Sequence, residues 1–135
     1  MEEKFRSRVK KHDKLESEVM DIVRPYTTRK HLPDRWVSFN DEIYPWDMKS
    51  NVFVEDNSHA EYFRLLDEGY RPIIVYRNKQ DMIIRADFID SLTWSGPYAA
   101  SPKSTTGDDY YRIAGGRLLK DFLEDIAKGD DDELP

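Results

Sequence analysis

Between residues 4 and 24 the apolar-stripe positions Phe5, Val9, His12, Leu15, Val19 and Ile22 follow one another by three or four, with Lys and Glu between them. This period predicts an amphipathic helix that Pro25 closes. The stripe spans under three heptads and has Arg8 where a coiled-coil seam wants an apolar residue, so packing on the domain is expected, with self-association through this helix as the alternative. Residues 35–39 and 51–55 have the β-branched and aromatic content of strands, separated by a loop containing Pro45. Ser58 and Glu61 have capping-box spacing, and Phe63, Leu65 and Leu66 continue into a helix that Gly69 can end in a left-handed conformation.

Ile73 to Tyr76 and Met82 to Ile84 flank a polar stretch at 77–81, which predicts a hairpin covered on both faces at the centre of the sheet. The 16 residues from Asp56 to Arg71 are enough for a crossover, so 51–55 and 72–77 are expected as parallel neighbours. Phe88 to Trp94 fit either an extension of the last strand or a short helical turn. Residues 95–107, rich in Ser, Gly, Pro and Thr, predict a long loop. Leu118, Leu119, Phe122, Leu123 and Ile126 form a helical face stopped at Gly129. The expected fold is α+β: a small mixed sheet of about four strands with a central hairpin, flanked by N-terminal, middle and C-terminal helices. Residues 1–128 make a single domain, and 129–135 are an acidic tail expected to fray.

Composition narrows the classes of function. Aromatic residues reach 13%, against the aromatic poverty of disordered chains. The longest apolar run, Ile73 to Tyr76, is far short of the roughly 20 residues that span a bilayer. No secretory signal is visible and cysteine is absent, which removes disulfides, Cys-ligated metals and thiol nucleophiles and suits a cytoplasmic protein. The net charge of −6 is uneven: residues 1–35 hold ten basic against seven acidic side chains, 36–116 eight against thirteen, and 117–135 three against seven. Only the first third has the basic balance of a nucleic-acid binder.

Pro33-Asp34 followed by Asp47-Met48-Lys49 matches the PD…(D/E)xK spacing by which some nucleases hold two carboxylates on Mg²⁺ beside a Lys that helps activate water. The second motif then has to lie on a strand of the core sheet, whereas Pro45 and Trp46 argue for a loop and for ordinary surface charges. His12, His31 and His59 are scattered without metal-binding spacing, and neither metal nor cofactor is expected. Ser58 beside His59 reads as a cap before it reads as a nucleophile and base. Gly115-Gly116 reads as a turn before it reads as a phosphate cradle. Lys4, Arg6, Arg8, Lys10, Lys11 and Lys14 fit a phosphate backbone, but acidic residues share the helix.

Tyr44, Trp46, Trp94, Tyr98, Tyr110 and Tyr111 fall in expected loops or element ends, where aromatic side chains make interface hot spots. The sequence therefore points first to a small acidic adaptor or inhibitor of another protein, of the kind phage accessory proteins provide. In a sharper form, Glu55, Asp56, Asp67, Glu68, Asp81, Asp87 and Asp90 present a phosphate-like array to a protein that handles nucleic acid. The alternatives are a Mg²⁺-dependent nuclease using Asp34, Asp47 and Lys49, and a nucleic-acid-binding module led by the N-terminal helix.

Overall fold

In the computed structural model the described residues are 2–29, 32, 35–100 and 107–129, with backbone alone over 2–12. Helix α1 (Glu2–Val23) ends in a 3₁₀ turn at Arg24–Tyr26 containing Pro25. Strands β1 (Trp36–Phe39) and β2 (Glu42–Lys49) follow, then β3 (Phe53–Glu55) and helix α2 (Asp56–Asp67). Next come β4 (Ile73–Arg77), β5 (Ile84–Phe88), β6 (Thr93–Tyr98), β7 (Tyr110–Ala114), β8 (Arg117–Leu118) and helix α3 (Leu119–Lys128). The architecture is the expected α+β. It carries two sheets: a mixed five-stranded one in the order β1-β2-β4-β5-β8, and an antiparallel three-stranded one in the order β3-β7-β6.

Strand β4 lies at the centre of the larger sheet and is covered on both faces, as its continuous apolar run predicts. Ile73 and Val75 enter a core with Leu15, Val19 and Val23 of α1 and Leu119, Phe122, Leu123 and Ile126 of α3. Ile74 and Tyr76 enter a second core with Tyr62 of α2 and with Val54 and Ile113 of the smaller sheet. The described half of the N-terminal stripe thus packs on its own domain. It runs Leu15, Val19, Val23, and Ile22 is left 40% exposed. The side chains of Phe5, Val9 and His12, like the acidic tail from residue 130, lie outside the described residues. No described helix is long and apolar enough to cross a membrane.

Four local expectations are corrected. The parallel partner of β4 is β2, with Trp46 opposite Ile73 and Lys49 opposite Tyr76, while residues 53–55 pair with β7 in the smaller sheet. Pro45 is tolerated inside β2 because the Trp46 N–H points to β1, bonding the Arg35 carbonyl at 2.9 Å, so the neighbouring ring nitrogen faces the other edge, where pairing with β4 begins only at Trp46. The second hairpin strand starts at Ile84, because Met82 sits at φ 60° and the Asp81 side chain accepts the Ile83 N–H at 3.0 Å, extending the turn. Finally, Trp94 to Tyr98, expected partly as loop, belong to β6.

Candidate functional site

Strand β2 is shared between two partners. Its first half pairs with β1 as far as Pro45 opposite Trp36, and its second half, Trp46 to Lys49, pairs with β4. Pairing with β1 ends at Pro45, and Asp47, Met48 and Lys49 open onto a groove of about 1160 Å³. Strand alternation puts Asp47 and Lys49 on the same face. The Lys49 ammonium lies 3.6 Å from Oδ2 of Asp47, and both side chains are about three-quarters buried or more. Asp47, expected in a loop, is therefore on a strand of the main sheet, the position that the carboxylate-and-lysine reading requires.

The Asp47 carboxylate is held from three sides. Tyr62 on α2 donates its phenolic O–H to Oδ2, the Met48 backbone N–H donates to Oδ1 at 2.9 Å, and Lys49 approaches Oδ2. Burial, and then the neighbouring Asp47 charge, push the Tyr62 phenol well above its ordinary range, against weaker opposing effects of Ser58 and Arg35. Tyr62 is therefore a neutral donor to Asp47 at neutral pH. Arg24, Arg29, Arg35 and Lys49 line the groove together with Glu16, Asp47 and Glu55. Among the described residues no group of three or more His, Asp or Glu is clustered to hold a metal. Asp34, the other carboxylate of the motif, lies outside the described residues, as does His31.

The six aromatic residues of the expected contact surface divide. Tyr44 and Trp46 are on β2 and buried, Tyr44 against Phe39 and Phe88. Trp94 and Tyr111 face inward from the smaller sheet around His59, whose ring stacks on Tyr111 with centroids 3.7 Å apart. Trp94 also donates its indole N–H to the Ile89 carbonyl at 2.8 Å. Only Tyr98 and Tyr110 remain on the outer face, where Phe53 joins them. Phe53 was missed because a single aromatic in a short strand reads as core. The signal for its exposure is its alternation with Val54, which is wholly buried.

The other candidates take structural places. Helix α2 starts at Asp56 with Glu55 as its N-cap residue, so Ser58 stands within the first turn and does not cap. Gly115 and Gly116, at φ 80° and 86°, turn the chain from β7 into β8, and Tyr76 bonds the Gly115 carbonyl there. Of the acidic array, Glu68, Asp81, Asp87 and Asp90 each have an arginine partner, and Asp87 is buried against Arg117 at 2.7 Å. Comparison with known protein families, curated proteins and solved structures finds no match to this chain.

Proposed function

We propose that the protein is a Mg²⁺-dependent nuclease of the PD-(D/E)xK type, with Asp47 and Lys49 as the described part of its site and Asp34 as the second carboxylate named by the motif. The observation that carries this reading is the placement of Asp47 and Lys49 side by side on β2, past the last residue paired with β1 and at the edge of the groove. Mg²⁺ is commonly held by one or two carboxylates, with water and substrate phosphate completing its shell, so a complete protein cage is not needed. When bound, the ion would polarise a phosphodiester and neutralise charge as water adds to phosphorus and one P–O ester bond breaks, giving a phosphomonoester and a hydroxyl. Lys49 holds the attacking water or a non-bridging oxygen, and Tyr62 fixes the Asp47 carboxylate.

The adaptor reading loses support by comparison. Two of its six aromatic anchors are core residues, and four of its seven array carboxylates are paired with arginine. The test is cleavage of labelled single-stranded and double-stranded nucleic acid in Mg²⁺ and in EDTA, with Asp34→Ala and Asp47→Ala alongside. Metal-dependent cleavage abolished by both substitutions is expected. Cleavage that neither substitution changes rules the assignment out.

A further inference from the structure

The outer face of the smaller sheet carries a row of rings that belongs to neither core cluster among the described residues. Phe53 of β3 meets Tyr110 of β7 edge-on at 5.3 Å, and Tyr110 meets Tyr98 of β6 at 5.4 Å, so one ring comes from each strand in spatial order. Phe53 is 47% exposed and Tyr98 41%. A bulge makes the row possible: between Ser95 and Tyr98 strand β6 has one more residue than β7 spends opposite it, which returns Tyr98 to the face shared by Tyr110 and Arg112. Arg112 adds a cation, its guanidinium 5.7 Å from the Phe53 ring centroid.

We infer that this row is a stacking platform for single-stranded nucleic acid, feeding the strand into the groove at Asp47. Phe53 belongs to both surfaces, since it stands in the ring row and lines the groove. The groove wall also has Arg24, Arg29, Arg35 and Lys49 against the carboxylates Glu16, Asp47 and Glu55, so cations are in slight excess between platform and site. Rings on an open sheet face beside arginine are the chemistry that binds unpaired bases without sequence preference, because every base has a π-face. A blunt duplex keeps its bases stacked inside and has none to offer such a row. The inference deepens the nuclease reading and rests on it for the destination of the strand.

The experiment is fluorescence anisotropy in EDTA, where no metal-dependent cleavage occurs, using a labelled oligothymidylate and a blunt duplex of two annealed strands with equal total charge. The full chain is compared with Phe53→Ala, Tyr98→Ala and the double variant, and with Phe53→Trp, which keeps a stacking ring; melting curves verify the fold of each. The expected result is preference for the single strand, about tenfold weaker binding in each alanine variant, and retention in Phe53→Trp. Equal affinity for strand and duplex, or undiminished binding by the folded double variant, overturns the platform and leaves the row to a protein partner. Strand preference in a protein that cleaves nothing in Mg²⁺ removes the nuclease reading while the platform stands; cleavage without strand preference does the reverse.

Discussion

Tyr62, on the helix that crosses over from β2 to β4, donates its phenolic hydrogen to the Oδ2 atom of Asp47 that also lies 3.6 Å from the Lys49 ammonium. One carboxylate oxygen is thereby oriented by a neutral donor from a neighbouring element. Groups that orient a metal-binding carboxylate typically contribute ten- to a hundredfold to metal affinity or activity. Tyr62→Phe should therefore lower Mg²⁺-dependent cleavage by about tenfold or more and shift the Mg²⁺ dependence to higher concentration, alongside a loss of roughly 1.5–3 kcal/mol of stability from the hydrogen bond itself. Unchanged rates would make the hydrogen bond a packing feature alone.

The bulge that aligns the rings depends on Gly96. Its φ is +122°, and a Cβ there would stand 3.1 Å from the Tyr110 carbonyl oxygen and 3.3 Å from Tyr111 Cα, backbone atoms with little freedom to move. Gly96→Ala should cost about 1–3 kcal/mol of stability. A denaturant titration measures this, and an unaltered midpoint would show that the bulge relaxes freely.

His59 is wedged between Tyr111, Phe63 and Trp94, and its burial lowers its pKa, with Asp56 opposing. A depressed histidine pKa means that the folded state resists protonation. The stability it protects is complete above the unfolded value of about 6.5 and falls as the pH drops through the folded value. His59→Phe should flatten the loss of thermal stability between neutral and mildly acidic pH. Identical pH profiles for the two proteins would assign that loss to other groups.

Asp87 is a buried carboxylate bound through both oxygens by Arg117, at 2.7 and 3.1 Å, and Arg117 continues to Asp125 on α3 at 3.1 Å. The pair ties β5 to the end of the sheet and to the last helix. Asp87→Ala should destabilise the protein by about 2–3 kcal/mol, since hydrogen bonds to charged groups are individually worth about 1.5–3 kcal/mol. Chemical denaturation measures it, and a change well under 1 kcal/mol would show that solvent compensates the half-buried guanidinium.

The helices were legible because their signals are local. The 3.6-residue period of Leu119, Phe122, Leu123 and Ile126 and the left-handed Gly129 need no tertiary information. The central strand β4 was legible from its unbroken apolar run. Strand β2 was hidden by Pro45, whose cost depends on which edge its nitrogen faces and therefore on where β4 begins, a relation between distant segments. One local signal was available: Asn40-Asp41, both at positive φ, form the two-residue turn between β1 and β2 that such a pair favours. Read with the flanking alternation, it would have put Asp47 and Lys49 on a strand. The split of the aromatics was not legible, because composition alone does not distinguish Tyr44, buried against Phe39, from Tyr98, exposed on the outer sheet face.

The most direct measurement is the single-turnover rate of cleavage of a labelled oligonucleotide by the wild-type chain and by Asp47→Asn, across a range of Mg²⁺ concentrations. A carboxylate that holds the ion contributes several kcal/mol to the transition state, so the variant should be slower by about a hundredfold or more, with both proteins silent in EDTA. Equal rates for the two proteins, or cleavage that persists without the metal, would contradict the account.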